Sequence, residues 1–222
     1  MDSLMWYMRT LVKKCLKRGI ETSYAQFGED VVISAVLRGT KVGTYVDVGA
    51  FDPVLYSNTY HFYKKGWRGV VIDPNPALGA RFSLVRPRDV FVQTGVADNE
   101  VVMTYYMFNY PAYNTFDERE KNSYLATNSS LKVTDTQHMT LHPLRDILAD
   151  KGVIKVDFLN VDAQGFDLQV LRSMGDIRPT VIAVEVESEL KDVQQNPVYQ
   201  FLTEIGYSLK GCAGVTLIFK IV

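Results

Sequence analysis

TYVDVGAFDPVLYSNTYHFYKKGWRGVVIDPNP, residues Thr44 to Pro76, decides the fold. Thr44–Val48 is a short β-branched and aromatic run that stops at Gly49, as expected of a strand buried on both faces of a parallel sheet. Ser57 suits an N-cap, Lys64 and Lys65 fall where a helix C-terminus favours cations, and Gly66 can close the helix. Val70, Val71 and Ile72 form a second buried strand. It ends at Asp73, because Pro74 and Pro76 cannot continue a central strand. The stretch is a strand–helix–strand crossover, and ligands of such sheets bind beyond the C-terminal strand ends. Asp47, Gly49, Asp52 and Asp73 all belong to that edge.

The turn after the first strand narrows the ligand. Dinucleotide folds use G-x-G-x-x-G, whose second glycine lets the backbone approach the pyrophosphate. Here the turn is Gly49-Ala50-Phe51-Asp52-Pro53, with Phe51 in the second glycine's place. A diphosphate would meet an aromatic ring and the charge of Asp52. A nucleoside without phosphates would not be repelled, and Asp73 could accept both of its ribose hydroxyls. S-adenosylmethionine is such a nucleoside, and its sulfonium tolerates acidic and aromatic surroundings. Asp73 also lies at a ribose-binding distance beyond the turn, usually ~20 residues. The plainer reading has Asp47 and Asp73 capping helices.

Composition sets the outer bounds. The chain has 222 residues, enough for one α/β domain with a full core. Its 47% hydrophobic and 22% charged residues suit an ordinary globular protein, and a net charge of −1 gives no electrostatic case for nucleic acid. Cys15 and Cys212 have neither metal-site nor redox spacing, so a reducing cytoplasm is the expectation. No apolar run reaches spanning length, and no secretory signal is visible.

Along the chain, residues 4–18 form an amphipathic pattern with Leu4, Met5, Met8, Leu11, Val12, Cys15 and Leu16 on one side. Arg9, Lys13, Lys14, Lys17 and Arg18 lie on the other. Such a helix docks on its own domain, on a second subunit in a homo-oligomer, or on a membrane surface. In Ser23–Asp30 (SYAQFGED) the acids either serve the N-terminus of the helix that follows, or Gln26 reaches over the first strand's turn and closes the site. Ala77–Val85 is a second crossover helix and Val90–Gly95 a third strand, and Asp98 either sits where an adenine amino group would be read or belongs to a plain Asp98-Asn99 turn. Val101–Phe108 reads as an extra edge strand. Asn109–Ser130 reads as a long loop with Tyr110, Tyr113, Phe116 and Tyr124, suited to an acceptor lid or to a solvated excursion. Val156–Val161 is the fourth buried strand, with Asp162 at its tip. Thr180–Val186 is the fifth, with Glu185 near its end. A terminal hairpin, Tyr207–Cys212 and Val215–Val222, makes the last strand antiparallel.

The chain resembles the FkbM family of S-adenosylmethionine-dependent methyltransferases. The resemblance rests on SYAQFGED, YVDVGAFDP, YSNTYHFYKKGWRGVVIDPNP, GVADNE, DFLNVDAQGFDLQVLRS and PTVIAVEVE, in that order from Ser23 onward. It implies a class I methyltransferase (Rossmann-like) fold over residues 22–222, behind an N-terminal helix at 1–21. The sheet would be mostly parallel and seven-stranded with an antiparallel last strand, and helices would lie on both faces. It implies O-methylation of a hydroxyl, often on a sugar or polyketide. Gly49 would lie against the methionine part of the cofactor, Asp73 on its ribose and Asp98 near its adenine, with Asp162 facing the reacting centre. The cofactor-binding candidates are Gln26, Asp47, Gly49, Asp52, Ser57, Asp73, Asn75 and Asp98. Two positions depart from the family pattern: Gln164, where members commonly carry Glu, and His142, where they tend to carry Asp.

The chemistry needs acceptor oxygen, methyl carbon and sulfur in line, and positioning can supply ~7–11 kcal/mol. A base for the weakly nucleophilic hydroxyl adds ~10²–10⁴-fold. Asp162 is the first candidate, with Glu185 and His142 as the other catalytic candidates. Alternatively Asp162 and Glu185 share a divalent cation that acidifies the hydroxyl. Two rival functions remain: a non-catalytic nucleoside-binding module of the same fold, and an NAD(P)-dependent oxidoreductase, which Phe51 and the terminal hairpin disfavour.

Overall fold

The computed structural model describes Met5, Met8, Arg9, residues 21–186, Glu189 and residues 191–222. The N-terminal helix expected within residues 1–21 lies almost wholly outside the described residues.

The crossover forms as its sequence requires. Strand β1 is Thr44–Val48 and β2 is Arg68–Ile72, parallel and in register from Thr44↔Arg68 to Val48↔Ile72. The helix between them, Tyr60–Lys64, starts later than Ser57 suggests. Ser57 still serves its start, since its Oγ accepts the Tyr60 N–H at 3.1 Å. Three further parallel strands join: β3 (Val90–Val92), β7 (Phe158–Val161) and β8 (Val181–Glu185). The hairpin of β9 (Tyr207–Ala213) and β10 (Thr216–Ile221) completes a seven-stranded sheet of order β3-β2-β1-β7-β8-β10-β9, with β10 antiparallel to β8. The order reverses between β1 and β7, so a crevice opens at their C-terminal ends.

Helices cover both faces, and strand alternation divides the core. Val46, Val48, Val70, Ile72, Leu159, Val161, Ile182 and Val184 face the helices Leu144–Asp150, Asp167–Arg172 and Pro197–Glu204. Tyr45, Val71, Phe158, Val181 and Ala183 face Glu29–Val36, Tyr60–Lys64 and Leu78–Val85. Burial on both sides is why these strands read as unbroken apolar runs.

Three expectations are corrected. The third strand stops at Val92, and Gly95–Val96 (β4) leaves the sheet to pair with Leu141–His142. Val101–Phe108 (β5) is not an edge of the main sheet. It pairs antiparallel with Val133–His142 (β6), giving a separate three-stranded sheet of order β4-β6-β5. Gly95 permits the departure, since a Cβ there would lie 2.7 Å from Leu141 and 2.8 Å from Phe116. The long loop is also structured. It holds a short 3₁₀ turn at Pro111–Tyr113 and an inserted helix at Glu118–Thr127, whose N-cap Asp117 accepts the Arg119 N–H. That helix has no apolar stripe, so periodicity could not reveal it.

Candidate active site

Gly49 brings the two halves of the crevice together. Its φ is +81°, its N–H donates to the Ile72 carbonyl at 2.9 Å, and a Cβ on it would fall 1.7 Å from the Asp162 carbonyl oxygen. Any side chain would force the β1 turn away from the tip of β7. The glycine is therefore required first by the approach of two strand ends.

A cavity of about 360 Å³ lies over these ends. It is lined by nine of the residues singled out from the sequence: Gln26, Asp47, Gly49, Asp52, Ser57, Asp73, Asn75, Asp162 and Glu185. Two do not join it. Asp98 is exposed and outside the lining, because the chain has turned into the second sheet after Val96. His142 ends β6 away from the cavity, with its Nδ1 3.3 Å from Glu100 Oε2. On that side the cavity wall is built from Thr94, Gly95, Tyr105 and the inserted segment Asn114–Phe116.

Among the nine, the carboxylates divide by what already holds them. Asp47 accepts Thr59 Oγ1 on one oxygen and Asn160 Nδ2 (2.9 Å) on the other. Asp52 accepts the Val54 and Leu55 N–H groups on Oδ1 and pairs with Arg81 through Oδ2. Ser57 Oγ takes Arg86 Nη1 at 3.3 Å besides the Tyr60 N–H. These three shape the wall. Beneath them lies fully buried Arg86, which donates to Asp89 (2.6 Å), the Tyr45 hydroxyl (2.8 Å) and Thr59 Oγ1 (3.0 Å). This fixes the loop between β1 and its helix from below. In SYAQFGED the acids serve local structure: Asp30 accepts Ser23 Oγ and the Tyr24 N–H, and Glu29 accepts the Phe27 N–H. Gln26 is nevertheless brought to the cavity.

Asp73 differs. It is buried, and among the described residues the one group that donates to its side chain is the Asn75 N–H, on Oδ1 at 2.8 Å. Burial, with the charge of Asp47 adding, pushes its carboxyl up to about 7 against the opposing Asn75 hydrogen bond. A buried acid held near neutrality beside an open cavity fits a ligand that donates hydrogen bonds there, and a ribose diol is such a donor.

Asp162 and Glu185 stand at the ends of β7 and β8, which run in register from Phe158↔Val181 to Val161↔Val184. Burial first, then the charge and hydrogen bond of Glu185, drive Asp162 well above the ordinary carboxylate range. Gln164 Nε2 donates to Asp162 Oδ1 at 3.1 Å. Asn58 and Asn160, which the sequence reading missed, link this region to Asp47: Asn58 Nδ2 donates to Asn160 Oδ1 at 2.9 Å. Two non-glycine residues with positive φ, Tyr56 (+57°) and Gln164 (+44°), both line the cavity. Backbone strain gathers at sites that use it. Among the described residues no group of three or more His, Cys, Asp or Glu is placed to hold a metal.

Sheet order, reversed terminal strand and an acid at each of two strand tips define a class I methyltransferase. The chain belongs to the FkbM family: it matches the methyltransferase FkbM domain over residues 47–209. That membership implies S-adenosylmethionine as methyl donor and removes the oxidoreductase alternative. Solved structures similar to it include a TehB-like SAM-dependent methyltransferase from Corynebacterium glutamicum, at 12% identity and TM-score 0.43, covering 99% of this chain and 98% of that one. A methyltransferase from Geobacter sulfurreducens aligns at 11% identity and TM-score 0.46, covering 99% of this chain and 89% of that one. No curated protein matches the chain. Among the described residues, no helix is long and apolar enough to cross a membrane.

Proposed function

We propose that the protein is an O-methyltransferase acting on a hydroxyl of an uncharged sugar, glycan or polyketide-type acceptor by direct displacement. The observation that carries this reading is the meeting of Asp162 and Glu185, at the tips of adjacent strands, in the same cavity as Asp73. When bound, S-adenosylmethionine supplies a methyl group already activated by its sulfonium. Asp73 accepts the ribose hydroxyls, and the Gly49 turn leaves room for the methionine portion. Asp162 in its ionised form takes the acceptor's hydroxyl proton as the oxygen–carbon bond forms and the carbon–sulfur bond breaks, the electron pair staying on sulfur. A carboxylate raised toward neutrality is a better base than an ordinary one. Glu185 holds it raised.

Charge favours an uncharged acceptor. Five carboxylates line the cavity, Asp47, Asp52, Asp73, Asp162 and Glu185, and no Lys, Arg or His does so among the described residues. A phosphorylated or carboxylated acceptor would find no cation among the described lining residues to pair with it. The test is a methyl-transfer screen over glycans, polyketide alcohols and nucleotide sugars, with and without Mg²⁺, reading release of S-adenosylhomocysteine. Transfer to uncharged hydroxyls supports the reading. Transfer to amines alone, or no transfer by protein that binds the donor, would overturn it in favour of N-methylation or a nucleoside-binding module.

A further inference from the structure

Helix Glu118–Thr127 belongs to the inserted segment, yet it reaches the turn that follows β7. The Tyr124 hydroxyl donates to Gln164 Oε1 at 3.1 Å, and the same amide's Nε2 donates to Asp162 Oδ1 at 3.1 Å. One helical turn before Tyr124, the Glu120 carboxylate packs on Gly165, where a Cβ would lie 2.7 Å from it, and Thr115 Oγ1 donates to that carboxylate at 3.0 Å. Phe116 meets Phe166 edge-on with centroids 6.2 Å apart. The charged groups facing Asp162 are Glu185 from β8 and Asp167 from the helix after the turn, both acidic, while the Gln164 amide favours its ionised form.

An amide is the side chain that fits this relay. It accepts from a hydroxyl through its oxygen while donating to a carboxylate through its nitrogen. A carboxylate at position 164 could do only the first. The residue also tolerates a φ of +44°, which most side chains avoid.

We infer that Gln164 and Tyr124 are positioning residues for Asp162: the inserted helix fixes the Gln164 amide, and the amide holds the Asp162 carboxylate ready to accept the acceptor's proton. This rests on Asp162 being the base. Tyr124→Phe removes the anchor, and Gln164→Asn keeps a residue compatible with left-handed backbone while shortening the amide out of reach. Carboxyl carbon NMR of Asp162 in the free protein reads the effect without an acceptor. The titration midpoint of Asp162 rises in Gln164→Asn, rises less in Tyr124→Phe, and in the double variant equals that of Gln164→Asn. With an acceptor from the screen, kcat falls ~10-fold or more in Gln164→Asn, as for loss of a hydrogen bond to a charged group. Its acid limb moves to higher pH, and donor affinity by calorimetry stays at the parental value. An unmoved midpoint, or donor affinity falling in step with kcat, overturns the inference. Parental kcat in Asp162→Asn would instead strike the base assignment, and this inference with it. Reduced kcat in Asp162→Asn beside an unmoved midpoint in Gln164→Asn would strike this inference alone.

Discussion

The two halves of the cavity are built in different ways. The half proposed to hold the donor's ribose and methionine, Gly49 to Asn75, comes from one contiguous stretch, and its hydrogen bonds at Asp52, Asp73 and Asn75 are mostly to neighbours two or three residues away. The half proposed to meet the acceptor is assembled from distant segments: Asp162 with Glu185, Gln164 with Tyr124. A donor common to many enzymes can be gripped by a local motif. An acceptor particular to one enzyme is met by elements that only folding brings together, and here one of them is an inserted sheet and helix.

The comparison makes its largest demand on Asp162. If the halves are separable, Asp162→Asn lowers kcat by ~10²–10⁴-fold, while calorimetry finds donor affinity within a few-fold of the parent. Equal losses of both would dissolve the division.

Asp73→Asn should do the reverse. Loss of hydrogen bonds to a charged acceptor weakens the donor by ~10–100-fold or more. The same substitution removes a carboxyl that folding raises from 3.8 to about 7. Between those values the folded, donor-free protein holds a proton the unfolded chain has released, so stability falls as pH rises through that window. Donor-free Asp73→Asn therefore melts higher than the parent at pH 8, by calorimetry or circular dichroism. A lower melting point would show that the acid supports the fold.

The same acid gives donor binding a pH dependence. Accepting two ribose hydroxyls favours the carboxylate, so binding releases a proton below about 7. Affinity then climbs by up to ~10-fold per pH unit and levels off above neutrality. Titrations in buffers of different ionisation enthalpy read the proton directly. A flat profile in the parent would separate Asp73 from the ribose.

The smallest effects belong to the residues left outside. Asp98→Ala and His142→Ala should each change donor affinity and kcat less than ~2-fold, as surface positions do. A large loss of donor affinity in Asp98→Ala would put the adenine at Asp98, and a large loss of kcat in His142→Ala would bring His142 into the site.

How much of this was legible follows from range. Asp73 could be read because its strand, the prolines after it and its distance from Gly49 lie within 33 residues. Asp162 and Glu185 could be placed on strand tips, but their meeting could not, since it depends on β8 lying beside β7. Arg86 gave no signal: in the sequence it follows a helix, and only packing puts it under Ser57 and Thr59. Asp98 and His142 fall outside the cavity because Gly95–Val96 leaves the main sheet to pair with the inserted one, and strands of the two sheets look alike in sequence.

The sequence by itself determined the parallel core, the Gly49 turn and the acid at the second strand's tip, because buried strands, prolines and a positive-φ glycine constrain the chain locally. The tertiary structure alone decided where the chain leaves the main sheet at Gly95, and which helix reaches the β7 turn. Those outcomes turn on contacts between residues 40 or more positions apart, such as Tyr124 with Gln164, and no local preference encodes which distant partner a polar side chain will meet.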